Sequence, residues 1–201
     1  IIDATIKRIE SPNCRLETIL DIVKGPDFPT GGIIEGVEGI KEAFQKGRGK
    51  VVISSKYRIV KEKGRTQIII DEIPFDVNKA QMVQKMDAIR IDKKIDGIAE
   101  VRDESDRQGL RIAIDLKSGA NADLIVNYLM KNTDMQTTYN YNMVSIVNRR
   151  PMMLGIIPIL DAYISHQKEV ITKRSEFDLL AFKKRLHIVE GFLKMLSILD
   201  E

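Results

Sequence analysis

The sequence predicts an α+β protein, a two-layer sandwich of sheet and helices followed by a long helical segment. Three observations carry this. Apolar residues alternate with period two in several short segments between residues 50 and 147, as in strands with one buried face. Two runs opening on Asn78 and Asn121 repeat at helical spacing instead, with Met82, Met86 and Ile89 in the first and Leu124, Ile125, Tyr128 and Leu129 in the second. From Gly155 onward the strand signal vanishes, and only Pro158, tolerable in a first helical turn, interrupts a helical pattern.

Taken in order, Ile2, Ile6 and Ile9 share a helical face until Ser11-Pro12-Asn13 breaks it. Leu16 to Val23 makes a second short amphipathic helix, stopped by Gly25-Pro26. Residues 25–32 hold too much Pro and Gly for a helix or a central strand and are expected to form a loop held by Phe28. A short helix around Glu38 to Gln45 ends at Gly47. Lys50 to Val60 is expected as one strand, with Val51, Ile53, Tyr57 and Ile59 on one face and Lys50, Ser54, Lys56 and Arg58 on the other. A turn at Lys63-Gly64-Arg65 joins it to Thr66–Ile73 as a hairpin, and Pro74 ends that strand.

The helix capped by Asn78 runs through Arg90. Gly97–Asp103 and Leu110–Leu116 are the next two strands, the helix capped by Asn121 follows, and Thr137–Val147 is a long last strand. From Thr66 the order is β-α-β-β-α-β, the split βαβ pattern of a ferredoxin-like sandwich, with an extra hairpin strand bearing a basic row. The region 155–201, as one helix, would be a rod of roughly 65 Å. Its stripes Leu186, Val189, Leu193, Leu196 and Ile188, Phe192, Met195, Leu199 suit a bundle or thick coiled coil. Three regions result: a helical lead-in over 1–24, an α+β domain over 25–150, and a long helical segment over 151–201.

The 201 residues can bury roughly 70% of their unfolded surface, so no disulfide staples are needed, and Cys14 alone provides none. A reducing compartment fits that cysteine usage. At 43% hydrophobic and 30% charged the chain is too apolar for disorder. No apolar run approaches the ~20 residues of a membrane span, and the longest, Met152 to Leu160, is broken by Gly155 and Pro158. The chain opens on Ile1 without a secretory signal or an initiator methionine, and is expected to be a piece of a longer protein.

Net charge is +3, but its placement is uneven. Between Lys41 and Arg65 stand nine basic residues (Lys41, Lys46, Arg48, Lys50, Lys56, Arg58, Lys61, Lys63 and Arg65) against Glu42 and Glu62. That window carries +7 and the remainder −4. A local block of one sign is a footprint for a polyanion, and equally a common form of solvated surface.

Catalytic patterns are missing. There is no Gly-rich phosphate loop, HExxH, paired CxxC or Gly-x-Ser-x-Gly elbow. His166 and His187, among charged neighbours in the helical segment, read as solvated, and Cys14 as a small packed or surface thiol. Asp103, Glu104 and Asp106 could hold a hard cation such as Mg²⁺, but Arg102 and Arg107 flank them, and a salt-bridged hairpin turn is the simpler reading. Tyr139 and Tyr141, alternating with Asn140 and Asn142, could stack on bases or pack in the core.

Several segments, in order along the chain, resemble the A subunit of bacterial type IIA DNA topoisomerases: Gly25-Pro26-Asp27-Phe28-Pro29-Thr30, Gly47-Arg48-Gly49-Lys50-Val51, Glu72 to Ala80, Gly97 to Arg107, Asn142-Met143-Val144 and Arg185 to Gly191. In detail they are closer to topoisomerase IV than to gyrase. The resemblance implies an ATP-dependent enzyme whose A chain cleaves both strands of one duplex through a tyrosine and passes a second duplex through the gap. It places that tyrosine upstream of the matched region, so none of Tyr57, Tyr128, Tyr139, Tyr141 or Tyr163 takes the role.

By the same resemblance the chain is the tower domain plus the start of the helices leading to the exit gate. It would be inactive by itself, would support the arms of a bent duplex, and would be cytoplasmic and nucleoid-associated. Mg²⁺ and ATP belong to a partner B subunit in an A2B2 assembly, with none expected here, and A subunits pair through other regions. The residues expected to touch phosphates, without reading sequence, are Lys46, Arg48, Lys50, Lys56 and Arg58, with Lys79 of the Glu72–Ala80 segment. Two rivals stand beside this reading. One is a ferredoxin-like ligand sensor with a dimerising helix, for which the packed alternation offers no obvious pocket. The other is an enzyme with a metal at Asp103–Asp106.

Overall fold

The computed structural model describes every residue except Lys63, Gln108, Asp200 and Glu201, so Lys63 of the expected turn and the last two positions of the helical segment lie outside the described residues. The chain divides into two compact units, one of Ile1–Val23, Val147–Arg150 and Ile156–Glu201, the other of Lys24–Ile146 and Pro151–Gly155.

The first unit is helical. It holds α1 (Ile2–Glu10), α2 (Leu16–Ile22) and the last helix of the chain, a single continuous element over Ile156–Leu199 with Pro158 in its first turn. The expected apolar face of α1 is not its buried one. Ile2, Ile6 and Ile9 are exposed, whereas Ala4 and Thr5 are buried. Arg8, one turn beyond Ala4, forks onto Asp161 at 2.7 and 2.8 Å, which fixes the side of α1 that faces the long helix. The described members of the two stripes near the end of that helix are exposed too, from Val189 at 37% to Leu193 at 61%.

The second unit begins with the Pro/Gly loop, closed by Phe28 stacked on Phe75 at 5.3 Å. A short strand the sequence did not announce follows, β1 (Ile33–Glu35), then α3 (Glu38–Lys46), which Gly47 ends at φ +83° as a left-handed cap. Next come β2 (Arg48–Ser54), β3 (Lys56–Glu62) and β4 (Arg65–Glu72), then α4 (Lys79–Ile91). The order continues with β5 (Ile98–Asp103), β6 (Ile112–Leu116), α5 (Ala122–Asn132), β7 (Gln136–Asn142), β8 (Val144–Val147) and β9 (Arg150–Met153), and the long helix is α6. Both expected caps form: Asn78 Oδ1 accepts from the Gln81 N–H at 3.1 Å, and Asn121 Oδ1 from that of Leu124 at 3.2 Å.

The α+β class and the chain order hold, but two expected strands are each two. Lys50–Val60 breaks at Ser55, whose N–H donates to the Met135 carbonyl at 2.7 Å. Before it, β2 belongs to a sheet ordered β1-β2-β7; after it, β3 belongs to a sheet ordered β3-β4-β6-β5. Ser54 and Ser55, at the crossing, are both buried. Thr137–Val147 breaks at Met143, whose N–H donates to the Gly47 carbonyl. In the split βαβ arrangement the closing strand would flank β4. Here β3 takes that edge through the hairpin, and β7 pairs with β2 instead.

The main core lies between the four-stranded sheet and its two helices. Ile68, Ile70, Ile112, Ile114 and Leu116 meet Met82, Met86 and Ile89 of α4 and Ile125, Val126 and Leu129 of α5. Leu124, expected on that face, is 57% exposed, and Val126 takes its place.

Candidate nucleic-acid interface

The break at Ser55 divides the basic row between two surfaces. Across an antiparallel pair, directly opposite residues share a face. Arg48 stands opposite Asn142 and Lys50 opposite Asn140, so one face of the β1-β2-β7 sheet presents two cations and two carboxamides, all four exposed. Neither Arg48 nor Lys50 has an ion pair among the described residues. Their strand spacing sets them roughly 7 Å apart. The other face of this sheet is covered: α3 packs on Val51, and Tyr139 sits edge-on to Phe28 and Phe75 at 5.4 Å. The tyrosines therefore belong to the packed side. Burial pushes the Tyr141 hydroxyl above its ordinary range, the opposite of what a nucleophile needs.

The remaining candidates are already paired. Lys46 reaches Glu42 at 3.1 Å, one helical turn back. Lys56 pairs with Glu72 at 3.0 Å, Arg58 with Asp71 at 2.9 Å, and Lys79 with Asp103 at 2.7 Å. Arg58 lies on the outer face of the four-stranded sheet, where a lattice of ion pairs covers the fully buried Ile69 and Ala113. In that lattice Arg102 pairs with Glu100, Glu104 and Asp115, and Gln67 donates to Asp115 at 2.5 Å. Positive charge there is answered locally, unlike that of Arg48 and Lys50.

The acidic tip follows the salt-bridged reading, with Arg102 as expected and with Lys79 and Arg111 as further partners. Asp103 accepts from Lys79 and Ser105, and Glu104 from Arg111 and Arg102; Arg107 pairs with neither. Among the described residues no three His, Cys, Asp or Glu side chains converge as metal ligands. His166 and His187 are exposed on α6, and Cys14 is half-buried with its Sγ 3.9 Å from Arg8.

These pairs shift carboxylates in one direction. Arg111, then Arg102, hold Glu104 below its usual range, and the Gly32 N–H, then Lys56, do the same for Glu72. Burial raises Asp103 and Asp115, but Lys79 and Ser105 outweigh it for the first, and Arg102 and Gln67 for the second, so both end lowered. A group with a depressed folded-state pKa adds stability above its unfolded value, about 4, and loses it as pH falls through the folded one. The thermal midpoint is thus expected to hold from neutrality to about pH 5 and to fall steeply below about pH 4. Arg102→Met should flatten that fall, and a midpoint equal at about pH 7 and about pH 3 would refute the assignment.

Asparagines 140 and 142 were legible only as spacers between tyrosines. Their alternation already put them on the opposite face, but the strand they pair with could not be read. A second correction concerns the expected lack of a pocket: a cleft of about 540 Å³ opens where β1, β2 and β3 meet α5.

The family described as the A subunit of DNA gyrase/topoisomerase IV matches residues 1–201. The A subunit of DNA topoisomerase 4 from Bacillus subtilis (strain 168) is 59% identical over 202 residues, and those of Staphylococcus epidermidis and Streptococcus pneumoniae are each 53% identical over 204 and 202. Each comparison covers 100% of this chain, which spans about a quarter of the length of these relatives. No helix among the described residues is long and apolar enough to cross a membrane.

Proposed function

The chain belongs to the family of DNA gyrase and topoisomerase IV A subunits, and from that premise we propose that it is the non-catalytic tower of such a protein and supports the arms of a duplex. The single observation that carries this is the open sheet face with Arg48 and Lys50 unpaired beside Asn140 and Asn142. Two cations and two carboxamides on one strand pair suit phosphate oxygens. Smooth bending of a 20–30 bp site costs about 1–6 kcal/mol, which such contacts offset.

Strand cleavage, in this reading, belongs to a tyrosine outside residues 1–201, and ATP and Mg²⁺ to a B subunit in an A2B2 assembly acting in the cytoplasm. The chain contributes position rather than chemistry, and its long helix leads toward the exit gate. The test is fluorescence anisotropy of a labelled duplex of about thirty base pairs, titrated at several salt concentrations. Affinity is expected to fall linearly on a log–log salt plot and to be the same for unrelated sequences. Binding that ignores salt, or that discriminates sequence more than about tenfold, would overturn the reading.

A further inference from the structure

Ser55, where the chain leaves one sheet for the other, is 1% exposed, and its Oγ has no hydrogen-bond partner among the described residues. Ser55 lines a cleft of about 540 Å³, inside the range of roughly 300–1,000 Å³ typical of small-molecule sites.

Glu35 lies in the same cleft and is held unusually. Ser54 Oγ donates to one carboxylate oxygen and Gln136 Nε2 to the other at 3.0 Å, and Gln136 also reaches Ser54 Oγ at 3.1 Å. Both donors are neutral, and no cation pairs with Glu35 among the described residues. The carboxylate, exposed to solvent, is therefore fixed in direction with no protein cation on it, which leaves it open to a cationic ligand. Ile33, Tyr57 and Met130 supply apolar wall, and Lys131 stands on the lining without pairing to Glu35.

We propose that this cleft binds a small organic cation, an ammonium carried on an apolar body. The ammonium donates to Glu35, and the body lies against Ile33, Tyr57 and Met130. The site is independent of the DNA reading, because none of its residues is among those assigned to phosphate.

The probes are three molecules of one shape: phenethylamine, phenethyl alcohol and 3-phenylpropionate, each titrated into the isotope-labelled chain and followed by amide NMR. Phenethylamine should shift the amides of residues 33–35, 54–57 and 126–131 and bind about tenfold more tightly than the other two, the scale of one charged hydrogen bond. Glu35→Gln should erase that preference. Equal binding of all three, a preference for the anion through Lys131, shifts confined to other residues, or a preference unchanged in Glu35→Gln would each overturn the proposal.

Discussion

Neutralising Arg48 and Lys50 together, as Gln, is expected to weaken duplex binding on the order of a hundredfold at moderate salt and to lower the slope of log affinity against log salt by about 1.8. The slope follows from counterion release, about 0.9 for each duplex phosphate no longer neutralised. The same change at Lys56 and Arg58 is expected to do far less. Those two cations are paired with Glu72 and Asp71, so a phosphate must displace a carboxylate already in place, and the carboxylate left behind repels it. Lys46 and Lys79, held by Glu42 and Asp103, belong with the weaker pair. The sequence placed all six in one class because it shows charge and spacing but not partners 16 or 13 positions away. If the Lys56/Arg58 variant loses as much affinity and slope as the Arg48/Lys50 variant, the duplex lies on the four-stranded sheet, and the division at Ser55 does not matter for binding.

That division also marks the limit of what was legible. Local signals were read correctly where the deciding contacts are local: the caps at Asn78 and Asn121, the stop at Gly47, the loop around Phe28, and Pro158 in the first turn of a 44-residue helix. Sheet membership is not local. The alternation from Val51 to Ile59 keeps its parity across Ser55, so period two alone cannot show that the strand changes sheets there. The Ser55 N–H turned onto the Met135 carbonyl does, and that contact is a product of the fold. The β8–β9 hairpin escaped notice for a different reason. Its turn places Asn148 and Arg149 at φ 51° and 64°, a left-handed pair for which Asn-Gly is the usual signal, and arginine in the second place hides it. On the first helix the misreading was one of weight: three isoleucines outvoted Ala4 and Thr5 in the pattern, but the fork of Arg8 on Asp161 orients the helix.

Adding a side chain at Gly49 is expected to be the most damaging single change in the sheet that bears Arg48 and Lys50. A Cβ there would collide with the Gly39 carbonyl oxygen and lie 2.8 Å from the Ala43 amide nitrogen. One at Gly39 would meet the Lys50 carbonyl in turn. The two glycines let α3 lie directly on β2, and the obstructing atoms are backbone, which cannot rotate away. Gly49→Val must therefore lift α3, opening the cover over Val51, Ile40, Ala43 and Phe44, each 5% exposed or less. Overpacking of this kind costs about 3 kcal/mol, which for a chain of this size lowers the melting midpoint by roughly 10 °C. Gly191→Ala is the control. Nothing lies within 4 Å of its new Cβ and its backbone is helical, so the midpoint should hold or rise, alanine being favoured over glycine in a helix by about 1 kcal/mol. Because Gly49 stands between Arg48 and Lys50, Gly49→Val should weaken duplex binding as well, even at temperatures where the chain stays folded. A Gly49→Val protein that melts with the parent and binds DNA unchanged would mean that α3 does not set the position of this strand.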